Sequence, residues 1–219
     1  MAVNKKAYNK LIHLLSAKHV TLVAVSKTKP VNDIQALYDT GQRDFGENYV
    51  QEITEKQLLL PLDIRWHFIG HLQTNKVKYV APFVYMIHGI DSLKLLKEVN
   101  KQALKCNRII PVLLQIHIAK EETKFGLDEN ELQEILQHAG ELKNVEIKGL
   151  MGMASFTSDQ AEVRSEFKYL NSLYNKIKLT SYHLPFTTLS MGMSGDYIIA
   201  IEEGSNMVRI GSLLFGSRA

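Results

Sequence analysis

Leu22 to Asp33 reads "LVAVSKTKPVND", an apolar, β-branched run that ends in a turn carrying two lysines. In a strand covered on both faces, Val23, Val25, Lys27 and Lys29 all lie on one side. An ammonium group facing that interior is costly unless it is paired, neutralised or chemically used. The alternative is a strand that stops near Val25, with both lysines solvated. The turn itself, "SKTKPVND", has no glycine. It therefore lacks the Gly-x-Gly-x-x-Gly fingerprint that opens a doubly wound dinucleotide-binding sheet.

Outward from this stretch the same alternation recurs. Apolar runs stand at "IRWHFIG", "VYMIHGI", "IIPVLLQIHI", "VEIKGLMGM", "FTTLSMG" and "MVRIGSLLFG", with a weaker one at "RDFGEN". Between them lie segments of helical period. Leu132, Ile135, Leu136 and Ala139 form one stripe, opened by Asp128 and Glu131 in capping-box spacing. Val163, Phe167, Leu170, Tyr174 and Ile177 form a second. Tyr8, Leu11, Ile12 and Leu15 form a third, ahead of the first strand. Eight strands, each but the last followed by a helix, predict right-handed crossovers and a parallel sheet. The expectation is an α/β fold, a single (β/α)8 TIM-type barrel with an extra N-terminal helix, residues 1–219 forming one domain.

The bulk numbers restrict the function. Net charge is +3, and the 26 lysines and arginines are scattered, which argues against a nucleic-acid surface. A single cysteine, Cys106, cannot close an internal disulfide and suits a reducing, cytoplasmic setting. Neither a signal-peptide core nor a run of membrane-spanning length is present. The eight histidines lack ligand spacing such as HExxH, so no metal site is expected.

A barrel carries its chemistry at the C-terminal ends of its strands. The polar residues there include Lys27, Glu47 and Asn48, His67 with His71, His88 and Asp91, His117, Ser190 to Ser194, and Arg209 to Ser212. A rim lysine held partly neutral by desolvation is a nucleophile toward aldehydes, and pyridoxal 5′-phosphate (PLP) is an aldehyde cofactor bound that way. It also needs a phosphate cradle, and the loops "LSMGMSGDY" and "VRIGSLLFG" offer glycine and serine where barrels often bind phosphate. Arg209, inside an apolar strand, reads either as one half of a salt bridge to a barrel carboxylate or as a donor to a pyridine nitrogen. His67 reads as a general base, a cofactor contact or a packed imidazole. Asp196 reads as a helix cap.

The motifs "AVSKTKP", "FGENYVQE", "WHFIGHLQTNK", "KGLMGM", "LSMGMSGDY" and "MVRIGSLLFG", in this order, resemble the pyridoxal phosphate homeostasis protein family (YggS/PROSC). The resemblance runs from about Thr21 to the C-terminus and implies a barrel similar to the N-terminal domain of alanine racemase. It implies that Lys27, not Lys29, holds PLP as an imine. Ser194, Gly211 and Ser212 would then hold the phosphate, Arg209 would face the pyridine nitrogen, and Asn48 and His67 would line the site. Gly195 stands where family members vary. The family is regarded as non-catalytic, acting in PLP homeostasis and supply, with PLP-dependent apoenzymes as recipients. The chain is accordingly expected to be a cytoplasmic monomer that carries or buffers PLP, with no nucleic-acid or membrane partner. Alanine racemase takes its second acid/base from another domain and subunit, and no such domain is expected here. A PLP-dependent racemase or decarboxylase, and a barrel kept only for protein contacts, are the alternatives.

Overall fold

The computed structural model describes residues 3–121, 123–180 and 184–216. Eight parallel strands close a barrel in sequence order: β1 (Thr21–Val25), β2 (Asp44–Glu47), β3 (Arg65–Phe68), β4 (Met86–Ile90), β5 (Ile110–Gln115), β6 (Val145–Met151), β7 (Thr188–Ser190) and β8 (Met207–Ile210). The seam is a β1–β8 pairing that sets Val23 against Arg209. An N-terminal helix, α1 (Lys5–Ala17), precedes the barrel. Around it run α2 (Val31–Tyr38), α3 (Val50–Lys56), α4 (Val77–Val80), α5 (Leu93–Lys105), α6 (Glu129–His138), α7 (Gln160–Thr180), α8 (Tyr197–Glu202) and α9 (Ser212–Phe215). Closure in this order excludes the open doubly wound alternative.

The helical stripes are buried as their spacing predicts. Tyr8, Leu11 and Leu15 of α1 are buried, as are Val163, Phe167, Leu170, Tyr174 and Ile177 of α7. The capping box at α6 forms reciprocally, Glu131 N donating to Asp128 Oδ1 at 2.8 Å and Asp128 N to Glu131 Oε2 at 2.9 Å. The helix after β3 is brief, a 3₁₀ turn over 74–76 leading into the four residues of α4. Pro82 stands two residues beyond α4, and a proline there disfavours further helix. The expectation that the last strand has no helix after it is corrected by α9. Its Leu214 and Phe215 bury against the core, and Leu214 O accepts from Asn4 N just ahead of α1.

Strand alternation divides the interior in two. Outward side chains such as Leu22, Ala24, Phe45 and Trp66 pack under the helices in the large core. Val23, Met86, Leu113, Met151 and Met207 form a separate small cluster inside the barrel. The rest of the lumen is polar, holding Asp44, His67, His88, Ser190 and Arg209 in buried positions. One glycine shapes the strand ends. A Cβ on Gly70 would lie 2.4 Å from the Asn48 carbonyl oxygen, so the chain after β3 can lie against the chain after β2 only as glycine.

No helix among the described residues is long and apolar enough to cross a membrane, and no described group of His, Cys, Asp and Glu could hold a metal ion.

Candidate functional site

A cavity of about 460 Å³ opens at the C-terminal ends of the strands, the size of a small-ligand pocket. Val25, Lys27, Asn48 and Ile69 wall one side, and Met193, Ser194, Gly195, Arg209, Gly211 and Ser212 the other. Thr28, Lys29, Phe156 and Gly216 complete the rim, and Phe156 is 98% exposed.

β1 ends at Val25, yet the alternation persists beyond it. Ser26 is fully buried on the helix side, while Lys27 is half-buried in the cavity wall. The loop carrying Lys27 is clamped from behind. Lys56 Nζ donates to Ser26 O at 2.8 Å, to Glu47 Oε1 at 2.7 Å and to Glu52 Oε1 at 2.6 Å. Ser26 Oγ donates to Glu47 Oε1, and Thr28 N to Glu52 Oε1, each at 2.6 Å. Thr28 has φ 63°, a left-handed conformation unusual for a β-branched residue, and the clamp supplies what holds it there. Burial raises the Glu47 carboxyl above its usual range, while Lys56 and Ser26 pull it back. Lys29, two residues on, secures a different part of the chain. Its Nζ donates to the carbonyls of Phe215 at 3.0 Å and Gly216 at 3.4 Å, at the end of α9.

Across the cavity, Arg209 is 4% exposed. Its Nη1 donates to Ser190 Oγ at 2.6 Å and its Nη2 to the Gly152 carbonyl at 3.0 Å. Among the described residues no carboxylate pairs with it, so the salt-bridge reading gives way to neutral acceptors. Burial lowers its pKa to about 10, against the opposing pull of Asp196, and the group stays cationic at neutral pH. Ser194 Oγ accepts from Gly211 N at 3.3 Å and so ties the loop after β7 to the loop after β8. Asp196 precedes α8 without capping it by its side chain. Its Oδ1 instead accepts from Met193 N at 2.5 Å and closes the turn around Ser194. A Cβ on Gly195 would meet nothing within 4 Å, so this position places no steric demand on the turn.

Six of the seven residues singled out from sequence come together: Lys27, Asn48, Ser194, Arg209, Gly211 and Ser212 all line the cavity. His67 does not. It lies fully buried in the lumen below, between His88 and Asp44. Of the other rim residues, His71 bonds Asp91 at 2.8 Å and stacks on Phe125 at 3.9 Å, outside this cavity. His117 bonds the Glu121 carbonyl. Sequence reasoning missed Lys56 as the support of the lysine loop, although its place four residues after Glu52 on a helix was a usable signal. Asn48 Oδ1 is buried without a hydrogen-bond partner, an unmet acceptor in the cavity wall.

The family described as alanine racemase, N-terminal domain, matches residues 5–219. A pyridoxal phosphate homeostasis protein of Aquifex aeolicus is 42% identical over 198 residues, covering 90% of this chain and 86% of that protein. The structure of PipY of Synechococcus elongatus with PLP bound superposes with a TM-score of 0.87 at 35% identity, covering 96% of this chain and all of that one. Alanine racemase of Bartonella henselae shares the fold, with a TM-score of 0.70 at 18% identity over 97% of this chain and 59% of its own.

Proposed function

The chain belongs to the pyridoxal phosphate homeostasis proteins of the alanine racemase N-terminal domain family, and from that premise we propose that it binds PLP as a single-domain, non-catalytic holder of the cofactor. The observation that carries this is the composition of the cavity wall. It offers two amines, Lys27 and Lys29, a buried guanidinium, and hydroxyl and N–H donors. Among its described lining residues there is no carboxylate, imidazole, phenol or thiol.

The donor set fits PLP. Lys27 would supply the amine that attaches to the cofactor's aldehyde. Ser194, Gly211 and Ser212 would hold the phosphate through hydroxyl and backbone N–H donors. Asn48, with its unmet buried oxygen, would accept from the ligand or from the amine beside it. Arg209 can only donate, and would face the ring nitrogen as a cation. When bound, the cofactor supplies a reactive carbonyl and, with a protonated ring nitrogen, an electron sink. A cationic donor at that nitrogen disfavours the sink, because it keeps the nitrogen an acceptor. Inverting a substrate carbon by a two-base route needs an acid/base at each face, and among the described lining residues the only other amine besides Lys27 is Lys29. Lys29 itself is held against the α9 carbonyls.

Two measurements test the reading. The PLP-loaded protein, reduced with borohydride and mapped by mass spectrometry, should carry its adduct on Lys27. Lys27→Ala should abolish the adduct and Lys29→Ala should keep it; mapping to Lys29 would overturn the assignment. Deuterium exchange at the α-carbon of L-amino acids, followed by NMR, should not exceed that of free PLP. Faster exchange that disappears in Lys27→Ala would make the protein an enzyme.

A further inference from the structure

A row of hydrogen bonds crosses the barrel lumen beneath the cavity. From Arg209 Nη1 it runs to Ser190 Oγ at 2.6 Å, and from Ser190 Oγ to His88 Nδ1 at 3.5 Å. It continues from His88 Nε2 to His67 Nδ1 at 2.9 Å, and from His67 Nε2 to Asp44 Oδ1 at 2.9 Å. Asp44 is gripped in turn by Arg65, Nε at 2.7 Å and Nη2 at 2.5 Å. Ser190, His88 and His67 are fully buried, whereas the Arg65 side chain is 44% exposed at the start of β3. The row therefore joins the cavity floor to solvent at the N-terminal face of the barrel.

With His67 singly protonated, the two ends fix the direction of every link. Asp44 is ionised and accepts only, so His67 carries its proton on Nε2. A neutral His67 accepts at Nδ1, so His88 carries its proton on Nε2. His88 then accepts at Nδ1, and Ser190 donates its hydroxyl there. The Ser190 oxygen is left to accept from Arg209, which can only donate. Each link has one donor and one acceptor, all in one sense. A second proton on His67 would turn its Nδ1 into a donor and drive the His88 proton to Nδ1. Ser190 Oγ would then accept from both His88 and Arg209, and its own hydroxyl would lose His88 as an acceptor.

We propose that Asp44, His67, His88 and Ser190 are positioning residues that fix the orientation and donor role of Arg209 toward the ring nitrogen of the bound cofactor. The row is a property of the protein alone; its role toward the ring nitrogen rests on the PLP reading above. The charged and titratable groups facing His88 are His67 from β3 and Arg209 from β8. Those facing His67 are His88, Asp44 from β2 and Tyr85 beside β4, whose ring lies 5.3 Å away. Burial, with His67 and Arg209 alongside, pushes the His88 imidazole well below its usual range, in keeping with a neutral ring.

The test has two arms. In the ligand-free protein labelled with ¹⁵N-histidine, long-range proton–nitrogen correlation at neutral pH should find a neutral His88 with its proton on Nε2, and a proton on His67 Nε2 facing Asp44. His88 protonated on Nδ1, or cationic at neutral pH, would overturn the row. In the second arm, PLP is compared with its 1-deaza analogue, in which carbon replaces the ring nitrogen. Asp44→Asn and Ser190→Ala should each weaken PLP roughly tenfold and shift its absorption band, leaving the analogue unchanged. Equal weakening of both ligands, or of neither, would reduce the row to a structural role and sink the proposal. If wild-type protein binds neither ligand, the PLP reading has failed, and the tautomers alone decide whether the row exists.

Discussion

Replacing Lys56 with methionine should be among the most damaging single changes in this barrel, although Lys56 lies outside the cavity. Its ammonium is nearly buried, and all three of its acceptors are identified: Ser26 O, Glu47 Oε1 and Glu52 Oε1. Methionine keeps the length and the packing while removing every donor. Glu47 would then be a carboxylate with no exposure, holding only the Ser26 hydroxyl, its Oε2 already without a partner. Breaking a buried pair from one side costs about 3–5 kcal/mol, because the charge left behind has neither water nor counter-ion. At about 2–4 °C per kcal/mol for a chain of this size, the melting midpoint should fall by roughly 10 °C. The loss should also depend on pH. Burial raises the Glu47 carboxyl, and without Lys56 the main opposing pull is gone. A raised folded-state pKa means that the protonated form favours the native state. The penalty should therefore be greatest at neutral pH and shrink as acid neutralises Glu47. The assay is urea unfolding of wild type and Lys56→Met between about pH 8 and pH 4.5, with Lys101→Ala as a control that removes a long, exposed ion pair. A loss below about 1 kcal/mol, or one unchanged across that range, would refute this account of the clamp. Because Lys56 holds Ser26 O directly and anchors Glu52, which accepts from Thr28 N on the other side of Lys27, affinity for PLP should fall alongside stability.

Ser194→Ala should weaken PLP roughly tenfold, since one charge-assisted hydrogen bond is worth about 1.5–3 kcal/mol, yet leave pyridoxal nearly unaffected. Equal losses by equilibrium dialysis would count against a phosphate role for the loop after β7. Asp44 contributes to acid sensitivity: burial works to raise its carboxyl, but hydrogen bonds from Arg65 and His67 prevail and hold it at about 2, against an ordinary 3.8. That depression corresponds to about 2 kcal/mol at pH 7, present above the ordinary pKa and lost as pH falls through the folded one. The stability gap between wild type and Asp44→Asn should accordingly narrow between about pH 4 and pH 2, and a gap that persists would place the stabilisation elsewhere.

What could be read from sequence, and what could not, follows from how far each feature reaches along the chain. The barrel was legible because each strand and helix announces itself within a few residues. Lys27 was legible because alternation along β1 aims it inward, and only its half-buried position had to come from the fold. The two glycine–serine loops were legible as loops; their union through Ser194 and Gly211 was not, since it depends on how far α8 brings β8 back toward β7. His67 looked like a wall residue because it shares a motif with residues of the rim. The register of β2 against β3 pairs Gly46 with His67, short of the strand ends, and that depth puts the imidazole in the lumen.

The support beneath Arg209 is the least local feature of all. Its links join residues 19, 102, 21 and 23 positions apart, on five strands brought together by closure of the barrel. No short motif encodes such a row, and each member alone has an ordinary explanation: an aspartate at a strand start, two core imidazoles, a serine at a strand end. Together they offer an account of how an arginine can stay buried and charged with no ion-paired carboxylate among the described residues, only the more distant pull of Asp196. Its hydrogens are taken by neutral acceptors, and one of those acceptors leads through the lumen to the anionic end at Asp44. A carboxylate placed directly against the guanidinium would have stabilised the charge more simply, but would also have competed with a ligand for its donors. Reaching the anion through two imidazoles would leave the cavity-facing edge of Arg209 available. The proposed hold on a cofactor's ring nitrogen would need that edge, and a merely well-packed barrel core would not.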